Sequence, residues 1–294
     1  LFKRALFIIS LQLILCSVAG ANQPLDFIAL NMKGSKVTKN QWSPLVDYLA
    51  FTLNRPVELK ILKNSNYVKR SVNGSILLTN PVNAVIIEDG GDFEIIATMN
   101  QKKQGSRFAG VIITRKDSLV KNISDLVGRR VGVVNKTFAA GGFLFQSNEL
   151  LRRGIDPMNA DITFRELFNQ KAIIKHVASG ELDAGFIKTG MLESYSDRKA
   201  VAKLRIVNKM IDGLPYARST AIYPNWAVLV RKNLPQDVKN RIVDVLLSLK
   251  ENTHIATRAG IKGFVARRDY DAIKQVMNNL GTYQFKNIQT IPRH

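Results

Sequence analysis

Histidine is the side chain most often used to move protons or hold metal near neutral pH, and the sequence has three, His176, His254 and His294. None is spaced with another histidine or with an acidic cluster in a metal-ligand pattern. The only cysteine is Cys16, and no Gly-x-Ser-x-Gly elbow, phosphate loop or dinucleotide fingerprint occurs. The residues therefore predict no enzyme, no metal and no cofactor. They suit the holding of negative charge. Lys188 and Thr189 follow a short apolar run, as Thr79 and Asn80 follow another, and ligands of open α/β sheets settle at such carboxyl edges. An ammonium group and hydroxyls there suit an anion. A surface lysine, and a capping turn before Pro81, account for the same residues without a ligand. Arg218 offers a two-pronged grip on an oxyanion, or is simply solvated. Tyr67, Tyr216 and Tyr223 each offer a ring and a hydroxyl, with core or rim packing as the alternative. Trp42 and Trp226 are assigned to packing.

Positioning such groups requires sheets, and the sequence supplies the rhythm. Strands are expected over 25–30, 57–62, 75–78 and 93–99, with a helix over 42–53. This alternation reads as an open, largely parallel sheet with helices on its faces. The polar stretch 100–107 reads as a crossing into a second unit. That unit has strands over 109–114, 130–134, 161–164, 184–187 and 204–207, and helices over 123–127, 141–153 and 171–179. Gly213 and Pro215 mark a return crossing over 212–218, before an extended run at 220–230 and helices over 236–250, 253–259 and 269–280. Two lobes joined by two crossings are expected, with residues 22–104 and 217–294 forming one and 105–216 the other. Hinge closure of such lobes engulfs a solute.

The 294 residues, 46% hydrophobic and 22% charged, are enough for two cores. Lys3 and Arg4, the apolar run to Val18 and the small residues Ala19, Gly20 and Ala21 have the layout of a secretory signal peptide over 1–21. Cleavage is expected after Ala21, giving a periplasmic protein without stable membrane insertion; a retained anchor is the alternative. Lys plus Arg is 43 against 23 for Asp plus Glu, a formal charge of +20. Such a field concentrates anions, or serves solubility alone. Nucleic acid is not expected as a partner, because the basic residues are spread along the chain and an export signal precedes them.

The ordered set Trp42-Ser43-Pro44-Leu45, Thr79-Asn80-Pro81, Asp125-Leu126-Val127-Gly128-Arg129-Arg130-Val131-Gly132-Val133, Gly142-Phe143-Leu144, Glu149 to Ile155, Gly180-Glu181-Leu182-Asp183-Ala184-Gly185 and Gly263-Phe264-Val265 resembles the phosphate/phosphite/phosphonate-type periplasmic solute-binding proteins of ABC transporters. The resemblance spans nearly the whole mature chain. It implies an α/β fold of the two-lobed type II periplasmic binding class, with a mixed open sheet in each lobe and a ligand cleft between them. It also implies a monomer that captures a small anionic solute and hands it to a transporter permease. The run 184–193 with Ser219-Thr220 and Tyr223-Pro224-Asn225-Trp226 is similar to the branch used as input domains of sensor kinases, which implies as alternative a free-standing sensory protein read by a membrane kinase.

Family anions sit at the start of the second lobe's helix, where backbone N–H groups and the helix dipole favour negative charge. The resemblance carries that site to Thr137, Phe138, Ala139, Ala140, Gly141 and Gly142, with Lys136 nearby; glycines placed for tight packing are the plainer explanation. Ala139-Ala140-Gly141 replaces the Ser-Thr-Ser run of phosphonate binders, Leu167-Phe168 replaces a Ser-His pair, and Lys188 replaces an acid. These departures argue against an aminophosphonate, whose amine a lysine repels.

Overall fold

A computed structural model of the chain describes residues 23–281 except 32–33, 64–66 and 72. The expected leader with Cys16, its cleavage point after Ala21, and His294 lie outside the described residues.

The first segment runs β1 Leu25–Asn31, α1 Ser35–Leu53, β2 Val57–Lys63, α2 Tyr67–Ser71, β3 Ile76–Thr79, α3 Pro81–Asp89 and β4 Phe93–Gln101. A second follows: β5 Arg107–Arg115, β6 Arg129–Val133, α4 Leu144–Leu151, β7 Ile162–Glu166, α5 Gln170–Ser179, β8 Ala184–Lys188, α6 Arg198–Ala202, β9 Leu204–Val207 and β10 Ile222–Pro224. The chain then returns through β11 Ala227–Arg231, α7 Gln236–Ser248, α8 His254–Ala259, β12 Ile261–Ala266 and α9 Asp271–Asn279.

The strands form two mixed six-stranded sheets, one per lobe. The first has the order β12-β4-β11-β3-β1-β2. The second has the order β10-β5-β8-β6-β7, with β9 also on β5. Parallel pairing is confined to β1 with β2 and β3, and to β6 with β7 and β8. The strands next to the crossings, β4, β5, β10 and β11, pair antiparallel, so each sheet is less parallel than the rhythm suggests. A strand entering from the other lobe needs no crossover helix of its own.

The extended run expected over 220–230 is divided. Ile222–Pro224 pairs with β5 in the second sheet, and Ala227–Arg231 pairs with β3 and β4 in the first. The chain thus changes sheets between Pro224 and Ala227, later than the expected 212–218. At 210–218 an antiparallel bridge between Met210 and Arg218 turns the chain back within the second lobe. The two crossings lie side by side: the Asn225 amide donates to the Ser106 carbonyl and its Nδ2 to the Gly105 carbonyl, each at 3.0 Å.

Helix α1 shows how the first lobe closes. Thr38, Trp42, Leu45, Val46, Leu49 and Leu53 recur at three- and four-residue intervals and are all buried, which is one face of a 3.6-residue period. That face packs with Leu25, Phe27 and Ala29 of β1 and with Ile242, Val245 and Leu246 of α7. Each such aliphatic side chain contributes about 1.5–3 kcal/mol of burial. In the second lobe Ile173, Ile174 and Val177 of α5 pack on Val111, Ile113 and Ile187.

Candidate functional site

A cavity of about 720 Å³ opens between the lobes, at the carboxyl ends of β6, β7 and β8 on one side and against α1, Asn80, Trp226 and the α8–β12 junction on the other. Its second-lobe wall is built around a short 3₁₀ turn, Ala140–Gly142, which precedes α4. The expected single helix over 141–153 is interrupted at Phe143, whose backbone (φ −161°, ψ −60°) is not helical.

Local chemistry explains this turn. The Asn135 side-chain oxygen accepts from the Thr137 and Phe138 amides at 3.0 and 2.6 Å, a side-chain mimic of a backbone turn. A Cβ on Gly141 would stand 2.8 Å from the Phe108 ring and 2.9 Å from the Lys188 Cβ. Only hydrogen fits there. Beneath it, fully buried Gln146 donates from Nε2 to the carbonyls of Gly141, Ile187 and Val111 at 3.0, 2.8 and 3.3 Å. Gly110 leaves room for that carboxamide, which would lie 2.7 Å from a Cβ. Gln146 therefore ties the turn to β5 and β8, and no spacing or motif in the sequence singles it out.

Lys188 ends β8 opposite Gly110 of β5. Its backbone N–H donates to the Gln170 Oε1 at 2.9 Å, which leaves the Gln170 Nε2 as the donor end, close to Gly142. Asn169 caps α5 through the Ala172 amide, and Asn80 caps α3 through the Asn83 amide, with Pro81 at the first helical position. Of the amides from Ala139 to Leu144, that of Ala139 donates to the Asn135 carbonyl, that of Ala140 to the Phe138 carbonyl, and those of Gly142 and Leu144 both to the Ala139 carbonyl.

The cavity wall brings together Asn80, Phe138, Ala139, Ala140, Gly141, Gly142 and Lys188 of the expected residues. The others stand elsewhere. Tyr67 is buried in the core, its hydroxyl bonded to the carbonyls of Ile28 and Leu78, and burial pushes that phenol far up. Thr79 is buried and accepts from the Asn83 Nδ2 at 3.2 Å. Thr137 is exposed outside the lining. Thr189 continues the β5–β8 ladder, its amide on the Ala109 carbonyl and its hydroxyl accepting from the Ala109 amide. Arg218 bonds Asp212 and the Thr220 carbonyl; it lines a separate hollow with Arg152 and Arg153. Tyr223 stacks on Phe145 at 3.9 Å between centroids, and Tyr216 lies against Gly190.

Trp42 and Trp226, read from the sequence as packing residues, both line the cavity while also packing in the core. Phe108, Phe168, Gln41 and Glu166 join them. His176 bonds Glu181 at 2.6 Å on the outer face of α5, and this contact, with a hydroxyl from Ser179, holds the Glu181 carboxyl below its usual range. Among the described residues no helix is long and apolar enough to cross a membrane.

A family model described as ABC transporter, phosphonate, periplasmic substrate-binding protein matches residues 27–272. The tetrathionate sensor histidine kinase TtrS of Salmonella typhimurium is 23% identical over 235 residues, covering 74% of this chain; the chain spans 38% of the length of that relative. A Xanthomonas citri protein solved with bound chloride superposes with a TM-score of 0.68 at 18% identity, over 88% of this chain and 96% of that one. A binding component of an ABC phosphonate transporter from Pseudomonas aeruginosa gives 0.65 at 16% identity, over 89% and 88%. PhnD1 from Prochlorococcus marinus in complex with methylphosphonate gives 0.66 at 16% identity, over 88% and 98%. At these identities the structural likeness speaks for the fold.

Proposed function

The chain belongs to the phosphonate-type periplasmic substrate-binding family of ABC transporters and has the type II periplasmic binding fold, and on that premise we propose that it captures a small oxyanion between its lobes without altering it. The observation that carries this reading is the cavity itself, where the Lys188 strand end, the Gly141 amide and the Gln170 carboxamide meet Asn80 and Gln41 from the opposite lobe. A lysine and amide donors suit an anion, and the cationic excess of the chain raises the local concentration of one. Closure about the paired crossings at 101–107 and 224–227 brings the two walls onto the solute. The protein acts in the periplasm, and the closed form is what a transporter permease recognises.

A second use of the same closed form is favoured by the kinship with a sensor kinase: presentation to a membrane kinase, with a sulfur oxyanion as the signal. Genes for a permease and an ATPase beside this one support delivery; genes for a kinase and response regulator support sensing.

The test is a thermal-shift panel of phosphate, sulfate, methylphosphonate, thiosulfate and tetrathionate. A ligand at a hundredfold excess over its dissociation constant adds about 2.7 kcal/mol of stability. Lys188→Ala is expected to remove the shift without lowering the unliganded melting temperature. A panel in which no anion shifts the wild-type protein sinks the reading.

A further inference from the structure

The sequence contains two tryptophans, and both stand on the cavity wall. Trp42 is 3% exposed and held by the α1 core. Trp226 sits at the crossing, where its carbonyl accepts from the Met99 amide at 2.8 Å. From the other lobe come Phe108, Phe138 and Phe168, the last 89% exposed at the mouth. Among the described residues the charged lining consists of Lys188 and Glu166, of opposite sign. They end β8 and β7, two strand spacings apart across β6, which is about 10 Å.

A compact tetrahedral dianion needs charge-assisted donors around most of its oxygens. The face of an aromatic ring carries the negative side of its quadrupole and offers such an ion nothing. Five rings and one lysine among the described lining residues, with a carboxylate two strands away, match a different solute: a single anionic head joined to an apolar body that stacks on rings. The cavity volume of about 720 Å³ lies in the range of pockets for small organic ligands. Resting on the anion-capture reading above and narrowing it, we infer that the cleft takes a small organic anion, its head at Lys188 and Gly141 and its ring-sized apolar body between Trp42 and Trp226 on one side and the three phenylalanines on the other.

Because both tryptophans are on the wall, intrinsic tryptophan emission reads the cavity directly. Benzenesulfonate and phenylphosphonate are titrated against sulfate and methylphosphonate, with calorimetry in parallel. The ring-bearing anions are expected to bind at least about tenfold more tightly than the same heads without a ring and to change the emission. Phe168→Ala, at a position too exposed to upset folding, and Trp226→Leu should each weaken benzenesulfonate by a larger factor than sulfate. Equal or tighter binding of sulfate or methylphosphonate overturns this inference and leaves anion capture standing. Ring-bearing anions that bind both variants as they bind the wild type also overturn it. Binding of no anion at all overturns both.

Discussion

The two walls of the cleft are made in different ways. On the first lobe the lining is side chains rooted in the core: Trp42 from the buried face of α1 and Gln41 beside it, whose Nε2 donates to the Ala259 carbonyl at 2.7 Å. On the second lobe the polar part of the lining is backbone and strand ends, namely the 3₁₀ turn at Ala140–Gly142, the end of β8 and the start of α5, set beside the rings of Phe108, Phe138 and Phe168. One wall is fixed by burying side chains, the other by a buried carboxamide holding a loop from beneath. The difference separates two jobs. A wall of core-anchored rings supplies shape, and a wall of pinned backbone places polar groups to within a hydrogen-bond length, which is what orientation of a charged head requires.

The largest effect expected of this asymmetry lies at Gln146. Gln146→Ala removes the amide that ties the Gly141 carbonyl to β5 and β8 and opens a void, a loss of about 2–5 kcal/mol. Gln41→Ala on the opposite wall loses one part-buried bond, about 1 kcal/mol. Urea unfolding of both variants measures the contrast, and equal losses would break it.

Next comes Gly141→Ala. Its Cβ presses on Phe108 and Lys188, an overpacking cost of about 1–3 kcal/mol. Because the same contact sets the lysine stem, anion affinity should fall along with stability, whereas Gln41→Ala should cost affinity out of proportion to stability. Calorimetry on the two variants separates these patterns.

The smallest effect is a control at the far end of β8. Asp183 accepts from the Arg130 side chain and backbone, and those bonds hold its carboxyl below the usual range. A carboxyl depressed in the folded state contributes stability above the unfolded carboxylate range near pH 4, and that contribution fades as pH falls through the lower folded value. The pair is half exposed, so Asp183→Asn should cost at most about 1 kcal/mol at neutral pH. The difference from wild type should close below about pH 4, with anion affinity unchanged throughout. A loss of affinity in this variant would show that the whole strand, rather than its cleft end, sets the head group.

Much of the architecture was legible because the strands are short apolar runs with clear punctuation. Helix α3 escaped because Pro81–Asp89 is buried on nearly every side, so it carries no polar face for a helical period to reveal. Strand β12 escaped because Lys262 and Gly263 break its apolar pattern. The start of α1 at Ser35, seven residues ahead of the expected helix, hides in a polar stretch whose one buried member is Thr38. On the cavity wall, the place of Lys188 was legible from its strand end, and that of the glycine turn from the family resemblance. Trp42 was not: an aromatic residue on the apolar face of a helix reads the same whether its far edge meets core or cleft. Arg218 was misleading for a similar reason, since a nearby Asp212 claims it and nothing in the spacing announces that.

The interleaved order of the first sheet governs how the molecule can be assembled. Strand β11 lies between β3 and β4, yet more than a hundred residues separate it from either along the chain. A ribosome therefore finishes every strand of the second sheet before releasing the one that completes the middle of the first. The lobe that emerges first must wait with a gap at its centre, and chaperone dependence should concentrate on that unfinished half.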